Sequence, residues 1–148
     1  MIQVKVEVDE KAIENRITNL IDDTTMLMIH KLLAMMCDPY VPFDTGVLSQ
    51  TLEITPEWVR YNTPYAHYMY MGLVYGQNIP IIRQGQLVGF FSRPGVTKTP
   101  TGDVITYNRS KHPLATAEWD KAMFRDRREE FLTQVQAILY RRGRQLYG

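Results

Sequence analysis

Residues 39–54 read PYVPFDTGVLSQTLEI, and this stretch separates a helical first part of the chain from a mixed remainder. Pro39 and Pro42 end the helical pattern before them, because proline lacks an amide proton and pushes its predecessor out of helical dihedrals. Asp44-Thr45-Gly46 then predicts a sharp turn, since Asp can accept from nearby amides and glycine can adopt positive φ. We interpret four residues as a structural turn: Pro42, Asp44, Thr45 and Gly46.

The part before the turn has two patterns. Apolar residues at helical spacing predict one long helix over residues 9–37. Asp9 is the predicted N-cap, because its carboxylate can accept from the free amides of the first turn. Before the helix, alternating apolar and polar residues predict a strand with one buried face; its apolar residues are Ile2, Val4, Val6 and Val8.

After the turn, the patterns are short. Strands are predicted at 53–55 and 58–61, and a helical turn is predicted at 65–71, ending at Gly72. Two apolar runs, 79–83 and 87–91, flank Gln84-Gly85-Gln86, which is typical of a β-hairpin.

The last part begins with residues 92–108, where Gly, Pro and Thr predict a surface loop or arm with a strand at 103–107. His112 and Pro113 predict the start of a second long helix, because His112 can cap it and proline suits the first helical position. This helix is predicted to run to about Arg142, where Gly143 can end it.

These elements predict an α+β fold in which a small antiparallel sheet packs against two long helices, one N-terminal and one C-terminal. A hairpin and loop excursion occupies about 77–108. The length of 148 residues predicts a single domain, 1–148.

Composition excludes several classes of protein. The formal net charge of +1 gives no general attraction to nucleic acid, so charge must act locally. The single cysteine, Cys37, excludes an intrachain disulfide and a cysteine-cluster metal site, and it suits assembly in a reducing cytoplasm. We expect no export signal and no membrane span, because His30 and Lys31 interrupt the longest apolar stretch, 26–37.

No pattern predicts catalysis. The histidines lack metal-ligand spacing, the adjacent acidic pairs point apart on a helix, and no phosphate loop or GxSxG is present. Asp44-Thr45-Gly46 resembles the triplet of aspartic proteases, but those enzymes use two such carboxylates, and a long predicted helix precedes this triplet. We expect no enzymatic activity, no cofactor and no metal.

Two groups of side chains suit binding. Tyrosine combines apolar area with a hydroxyl, so a tyrosine cluster favours a subunit interface over a ligand pocket; its members are Tyr65, Tyr68, Tyr70 and Tyr75. The C-terminal run YRRGRQLYG suits the end of a helix or an interface, with DNA phosphates as the alternative; the candidate DNA contacts are Arg141, Arg142 and Arg144.

The order of these motifs resembles the minor capsid and head-tail joining proteins of tailed bacteriophages and prophages. The resemblance covers most of the chain and is carried by VPFDTGVLSQT, by WVRYNTPYAHYMYMG and by HPLATAEWDKAM. The matching positions are Pro42, Asp44, Thr45, Gly46, Leu48, Tyr65, Ala66, Tyr68, Gly72, Pro113, Ala115, Trp119 and Ala122. Residues 77–108 have no counterpart in the pattern.

The resemblance implies a non-enzymatic viral protein that forms a ring in the head-tail connector, or neck, and completes the tail for attachment to the head. It implies a virion location after assembly in the bacterial cytoplasm, a homo-oligomer with six copies favoured over twelve, and contacts with other neck and tail proteins. DNA passing through the channel is a further candidate partner, and no membrane is involved. A DNA-binding protein and the collar of a phage-tail-like particle are the alternatives.

Overall fold

The structure is a computed structural model that describes Glu7 and residues 9–148. The predicted strand at Ile2, Val4, Val6 and Val8 lies outside the described residues. The described part is α+β, with small antiparallel sheets and a long C-terminal helix, which confirms the predicted class.

The predicted helix over residues 9–37 is two helices, α1 (Glu10–Leu20) and α2 (Asp23–Cys37), so the prediction of one helix is wrong. The physical reason is a second N-cap between them. Thr25 donates its amide to Asp22 Oδ1 over 2.8 Å, so the chain starts a new helix there. The predicted cap of α1 is confirmed, because Ala12 donates its amide to Asp9 Oδ1 over 3.0 Å.

The turn after α2 forms as predicted. A 3-10 turn, Asp38–Tyr40, carries Pro39 in its first positions, and α3 (Val47–Gln50) follows. Gly46 precedes α3 with a φ of 82°. A Cβ on Gly46 would lie 2.9 Å from Phe43 Cζ, so glycine is required there by both the dihedral and the available space.

The strands form three separate two-stranded antiparallel sheets, whereas one small sheet was predicted. The pair β3–β6 explains part of the difference, because its strands are far apart in sequence and no local pattern predicts their partnership. The strand predicted at 103–107 corresponds to β6, which both begins and ends earlier in the chain. The strands are β1 (Leu52–Ile54), β2 (Val59–Tyr61), β3 (Leu73–Gly76), β4 (Ile79–Arg83), β5 (Gln86–Phe91) and β6 (Thr99–Val104), paired as β1–β2, β3–β6 and β4–β5.

The predicted β-hairpin is confirmed as β4 and β5. Ile79 lies opposite Phe91 and Arg83 lies opposite Gln86, so Gln86 belongs to the strand and the loop has two residues. Gln84 and Gly85 both have positive φ, 50° and 79°, as tight two-residue hairpin loops require.

α4 (Ala66–Met71) ends at Gly72 as predicted, and α5 (Trp119–Tyr147) is the long C-terminal helix. The start predicted for α5 at His112 and Pro113 is wrong, because Glu118 has a φ of 45°, which no helix can contain. The end predicted at Gly143 is also wrong, since α5 continues through it to Tyr147. Helical dihedrals are interrupted once inside α5, at Arg127.

The chain divides into two compact units, while the prediction of one domain stays a prediction. The helical unit comprises Met1–Met36, Glu53–Arg60 and Arg127–Gly148; the mixed unit comprises Cys37–Leu52 and Tyr61–Asp126. Buried side chains of the helical unit include Thr25, Leu32, Met36, Phe131 and Ile138. Those of the mixed unit include Cys37, Tyr40, Val41, Leu48, Ala115, Trp119 and Met123.

Candidate subunit interface

Two of the predicted groups meet at one cavity of about 510 Å³ in the mixed unit, here called the elbow cavity. The structural turn forms one side, and Tyr65, which is 41% exposed, lies on the other. No local sequence pattern predicts that these two groups meet. The lining residues are Pro42, Phe43, Asp44, Thr45, Gly46, Val47, Leu48, Tyr65, Met69, Thr106, Tyr107 and Asn108.

The chemistry of the elbow cavity is that of a contact surface. Among the described residues that line it, Asp44 contributes the one carboxylate, and an aspartic-protease mechanism requires two carboxylates that share a proton. Tyr107 uses its hydroxyl on the framework, since it donates to the Met69 carbonyl oxygen over 2.6 Å. The elbow cavity is therefore a recess lined by both apolar and polar residues, with the structural turn as one wall.

Tyr70 packs within the mixed unit. Its ring meets the Trp119 ring edge-on at a centroid distance of 5.0 Å, and its hydroxyl donates to Asp120 Oδ1 over 2.8 Å. Desolvation by burial, and then the hydrogen bond to the Asp120 carboxylate, raise the pKa of Tyr70 to about 12. The Tyr61 ring also packs edge-on with Trp119, at a centroid distance of 5.2 Å, and burial raises the pKa of Tyr61 as well.

Tyr68 and Tyr75 form a second aromatic group with His67. The two tyrosine rings are 4.8 Å apart, and the His67 ring lies 5.8 Å from Tyr68 and 6.3 Å from Tyr75. Both tyrosines are half-buried. Of the four predicted interface tyrosines, Tyr65 is therefore the most exposed, and the interface role of the set stays a prediction.

His112 joins the structural turn to the segment before α5, in place of the predicted capping role. Its Nδ1 donates to the Val41 carbonyl oxygen over 2.8 Å, and its Nε2 lies 3.8 Å from Asp38 Oδ2. The Phe43 ring packs against the imidazole at 4.9 Å, and the Lys111 ammonium lies 4.7 Å from the centre of the Phe43 ring. These contacts fix one wall of the elbow cavity.

The C-terminal arginines have different surroundings in the helical unit. The Arg142 guanidinium is 13% exposed and donates to Asp22 Oδ2 over 2.7 Å and to Thr25 Oγ1 over 3.2 Å. Arg141 and Arg144 are exposed. The DNA contact predicted for the three arginines stays a prediction, and Arg142 already serves to join α5 to the start of α2.

The β4–β5 hairpin exposes a group of apolar side chains that periodicity could locate but could not assign to a face. Every residue of β4 is exposed, and every residue of β5 except the half-buried Gly89 is exposed as well, so apolar groups face solvent on both sides of the hairpin. Ile82 is 64% exposed and Phe90 is 62% exposed. Other exposed apolar side chains of the hairpin are Ile79, Ile81, Leu87, Val88 and Phe91.

α1 presents a second exposed apolar surface, here called the isoleucine face. Ile13, Ile17 and Ile21 recur every fourth residue, which places them along one side of the helix, and they are 47%, 53% and 49% exposed. No residue of α1 is buried. α1 is held at Arg16, whose carbonyl oxygen accepts from the Tyr147 hydroxyl over 3.3 Å.

Comparison of the chain with family models, with curated proteins and with solved structures finds no match. Within residues 9–148 and Glu7, no helix has the length and apolar character needed to cross a membrane. The same residues hold no cluster of three His, Cys, Asp or Glu side chains that could bind a metal ion.

Proposed function

We propose that this chain is a structural subunit of the head-tail connector of a tailed bacteriophage, where copies form a ring that completes the tail for attachment to the head. The observation that carries the proposal is the β4–β5 hairpin, whose apolar side chains are exposed on both faces. A two-stranded hairpin is marginal in water by itself, and exposed apolar surface of this extent is typical of protein contacts.

The geometry of the hairpin also favours assembly. Among the described strands, β4 and β5 pair only with each other, so each has an unpaired edge that another strand can bind. A surface that differs from the one it binds gives a head-to-tail contact, and copies joined in this way form a ring when the rotation between them closes. The resemblance of the motif order to phage neck proteins supports the connector as the location and six as the number of copies.

The experiment is removal of the chain followed by its return. Particles produced without it are expected to accumulate as separate DNA-filled heads and tails that cannot attach, and purified protein is expected to join them in an extract. Normal yields of infectious particles without the chain would contradict the proposal. Return of the Glu129→Gln protein is the control, because this variant changes one exposed charge on α5 and leaves the hairpin residues unchanged.

A DNA-binding function through Arg141 and Arg144 is the second candidate, favoured by the exposure of both side chains at the end of α5. Affinity for duplex DNA would then fall steeply as salt rises, because bound arginines release counterions from phosphates. Weak binding of duplex DNA by the unchanged protein, with a flat response to salt, would exclude this candidate.

A further inference from the structure

α2 and α5 form an open apolar groove of about 450 Å³ within the helical unit, here called the methionine groove. Met35 in its wall is 61% exposed, and Lys31 and Arg141 are exposed cations on its lining. Methionine is flexible and polarisable, and surfaces rich in it bind amphipathic helices. The lining residues are Met28, Lys31, Leu32, Met35, Gln134, Ala137, Ile138 and Arg141.

We propose that the isoleucine face of α1 from one copy docks into the methionine groove of the next copy. This inference rests on the proposed ring and names the contact that builds it. An amphipathic helix of 11 residues with no buried side chain is marginal in water, so α1 gains most from a surface that covers its apolar side.

The lengths of the two surfaces agree. From Ile13 to Ile21 the isoleucine face extends about 12 Å, and from Met28 to Met35 the groove extends about 10 Å, at the helical rise per residue. Three isoleucine side chains therefore span the groove with little overhang.

The charges are complementary. Glu10 lies at the N-terminal end of the isoleucine face and Glu14 lies beside it one turn later, whereas the groove carries Lys31 and Arg141. Among the described residues these four side chains form no ion pair, so they are available to a partner. Opposite charges across a contact set its register and exclude wrong partners.

The order of the charges also gives the direction of α1. Arg142 contacts Thr25 and Gln134 contacts Met36, so α2 and α5 are antiparallel and Arg141 lies toward the Met28 end of the groove. Glu10 then faces Arg141 and Glu14 faces Lys31 when α1 runs parallel to α2. The occupant of the groove is a second copy, because this chain carries both complementary surfaces.

The test uses two charge-reversed full-length proteins. The first carries Glu10→Lys and Glu14→Lys, the second carries Lys31→Glu and Arg141→Glu, and masses are measured by light scattering after size exclusion. Each variant alone is expected to lose the oligomer, since its own α1 and groove repel. An equal mixture is expected to restore it, because every contact in an alternating ring joins opposite charges.

Lys11→Glu with Arg128→Glu is the matched control, since Lys11 lies on the side of α1 opposite the isoleucine face, and its oligomer should equal that of the unchanged protein. Ile17→Asn and Met35→Asn form a second arm: both side chains are more exposed than buried, so the fold should persist while assembly weakens at least tenfold.

The docking of α1 is overturned if the unchanged protein forms rings and the charge-reversed variants assemble equally well, or if their mixture stays dissociated. Either result leaves the proposed function standing. A protein that is monomeric at every concentration overturns both. Restoration by mixing excludes a contact of α1 with the groove of its own chain, because such a contact would not need the second protein.

Discussion

His112 donates from Nδ1 to the carbonyl oxygen of Val41 over 2.8 Å, and this bond joins residues 71 positions apart in the chain. Val41 is fully buried, so its carbonyl oxygen depends on a donor from the protein. The bond holds the structural turn against the segment that leads into α5, and it therefore shapes the wall of the elbow cavity.

Removal of this imidazole should destabilise the mixed unit. His112→Ala leaves a buried carbonyl without its donor, which is expected to lower the free energy of unfolding by about 1–3 kcal/mol. His112→Asn should retain most of the stability, because its amide nitrogen lies near the position of Nδ1. Urea unfolding followed by tryptophan fluorescence measures both, and equal losses in the two variants would contradict the role of the bond.

A methyl group on Gly46 should cost more than one on Gly85. Both glycines have positive φ, 82° and 79°, so Gly→Ala adds about 1–2 kcal/mol of backbone strain at either position. At Gly46 the new Cβ also meets Phe43 at 2.9 Å, whereas at Gly85 no atom lies within 4 Å. Thermal unfolding should place Gly46→Ala well below Gly85→Ala, and Phe43→Leu should recover part of the difference.

The Tyr70 hydroxyl should make stability depend on alkaline pH. The pKa is raised from 10.0 to about 12 in the folded protein, so this stabilisation is present below pH 10 and is lost as the pH rises through about 12. Tyr70→Phe should lower the free energy of unfolding by about 1 kcal/mol at pH 7 and flatten the alkaline loss. Tyr140→Phe, at a 68% exposed ring, is the control, and an unchanged alkaline slope in Tyr70→Phe would contradict the assignment.

Asp22 should make stability depend on acidic pH. The hydrogen bond from the Thr25 amide, together with the Thr25 hydroxyl and Arg142, lowers the pKa of Asp22 below 3.8. The stabilisation is therefore present above about pH 3.8 and is lost as the pH falls through the lower folded-state pKa.

Asp22→Asn tests this charge, because asparagine keeps an acceptor for the Thr25 amide and loses the ion pair with Arg142. The variant should unfold at lower urea than the unchanged protein at pH 7, and the gap between the two curves should shrink as the pH falls below 3.8. Glu129→Gln removes an exposed carboxylate and should shift neither curve. A gap that stays constant as the pH falls from 7 into the acid range would show that the charge is not responsible.

Local chemistry made parts of the fold predictable from sequence. The cap at Asp9, the turn at Gly46 and the hairpin loop at Gly85 each depend on a few neighbouring residues, and all three are confirmed. The break at Asp22 carried a signal that was missed, since an Asp three residues before Thr25 can cap a new helix.

Long-range contacts made the rest unpredictable. The start of α5 depends on the positive φ of Glu118, a conformation that residues other than glycine adopt only in a suitable tertiary setting. The meeting of Tyr65 with the structural turn, and the bond from His112 to Val41, likewise join segments that are remote in sequence. Periodicity reports which side chains are apolar, but it does not report which of them stay exposed for a partner.

The most direct test of the connector proposal is electron cryomicroscopy of the neck of particles that contain this chain. We expect a closed ring of this chain between head and tail, with six copies favoured and with the β4–β5 hairpins at contacts between proteins. A neck that lacks the chain, or a ring in which every hairpin faces solvent, would contradict it.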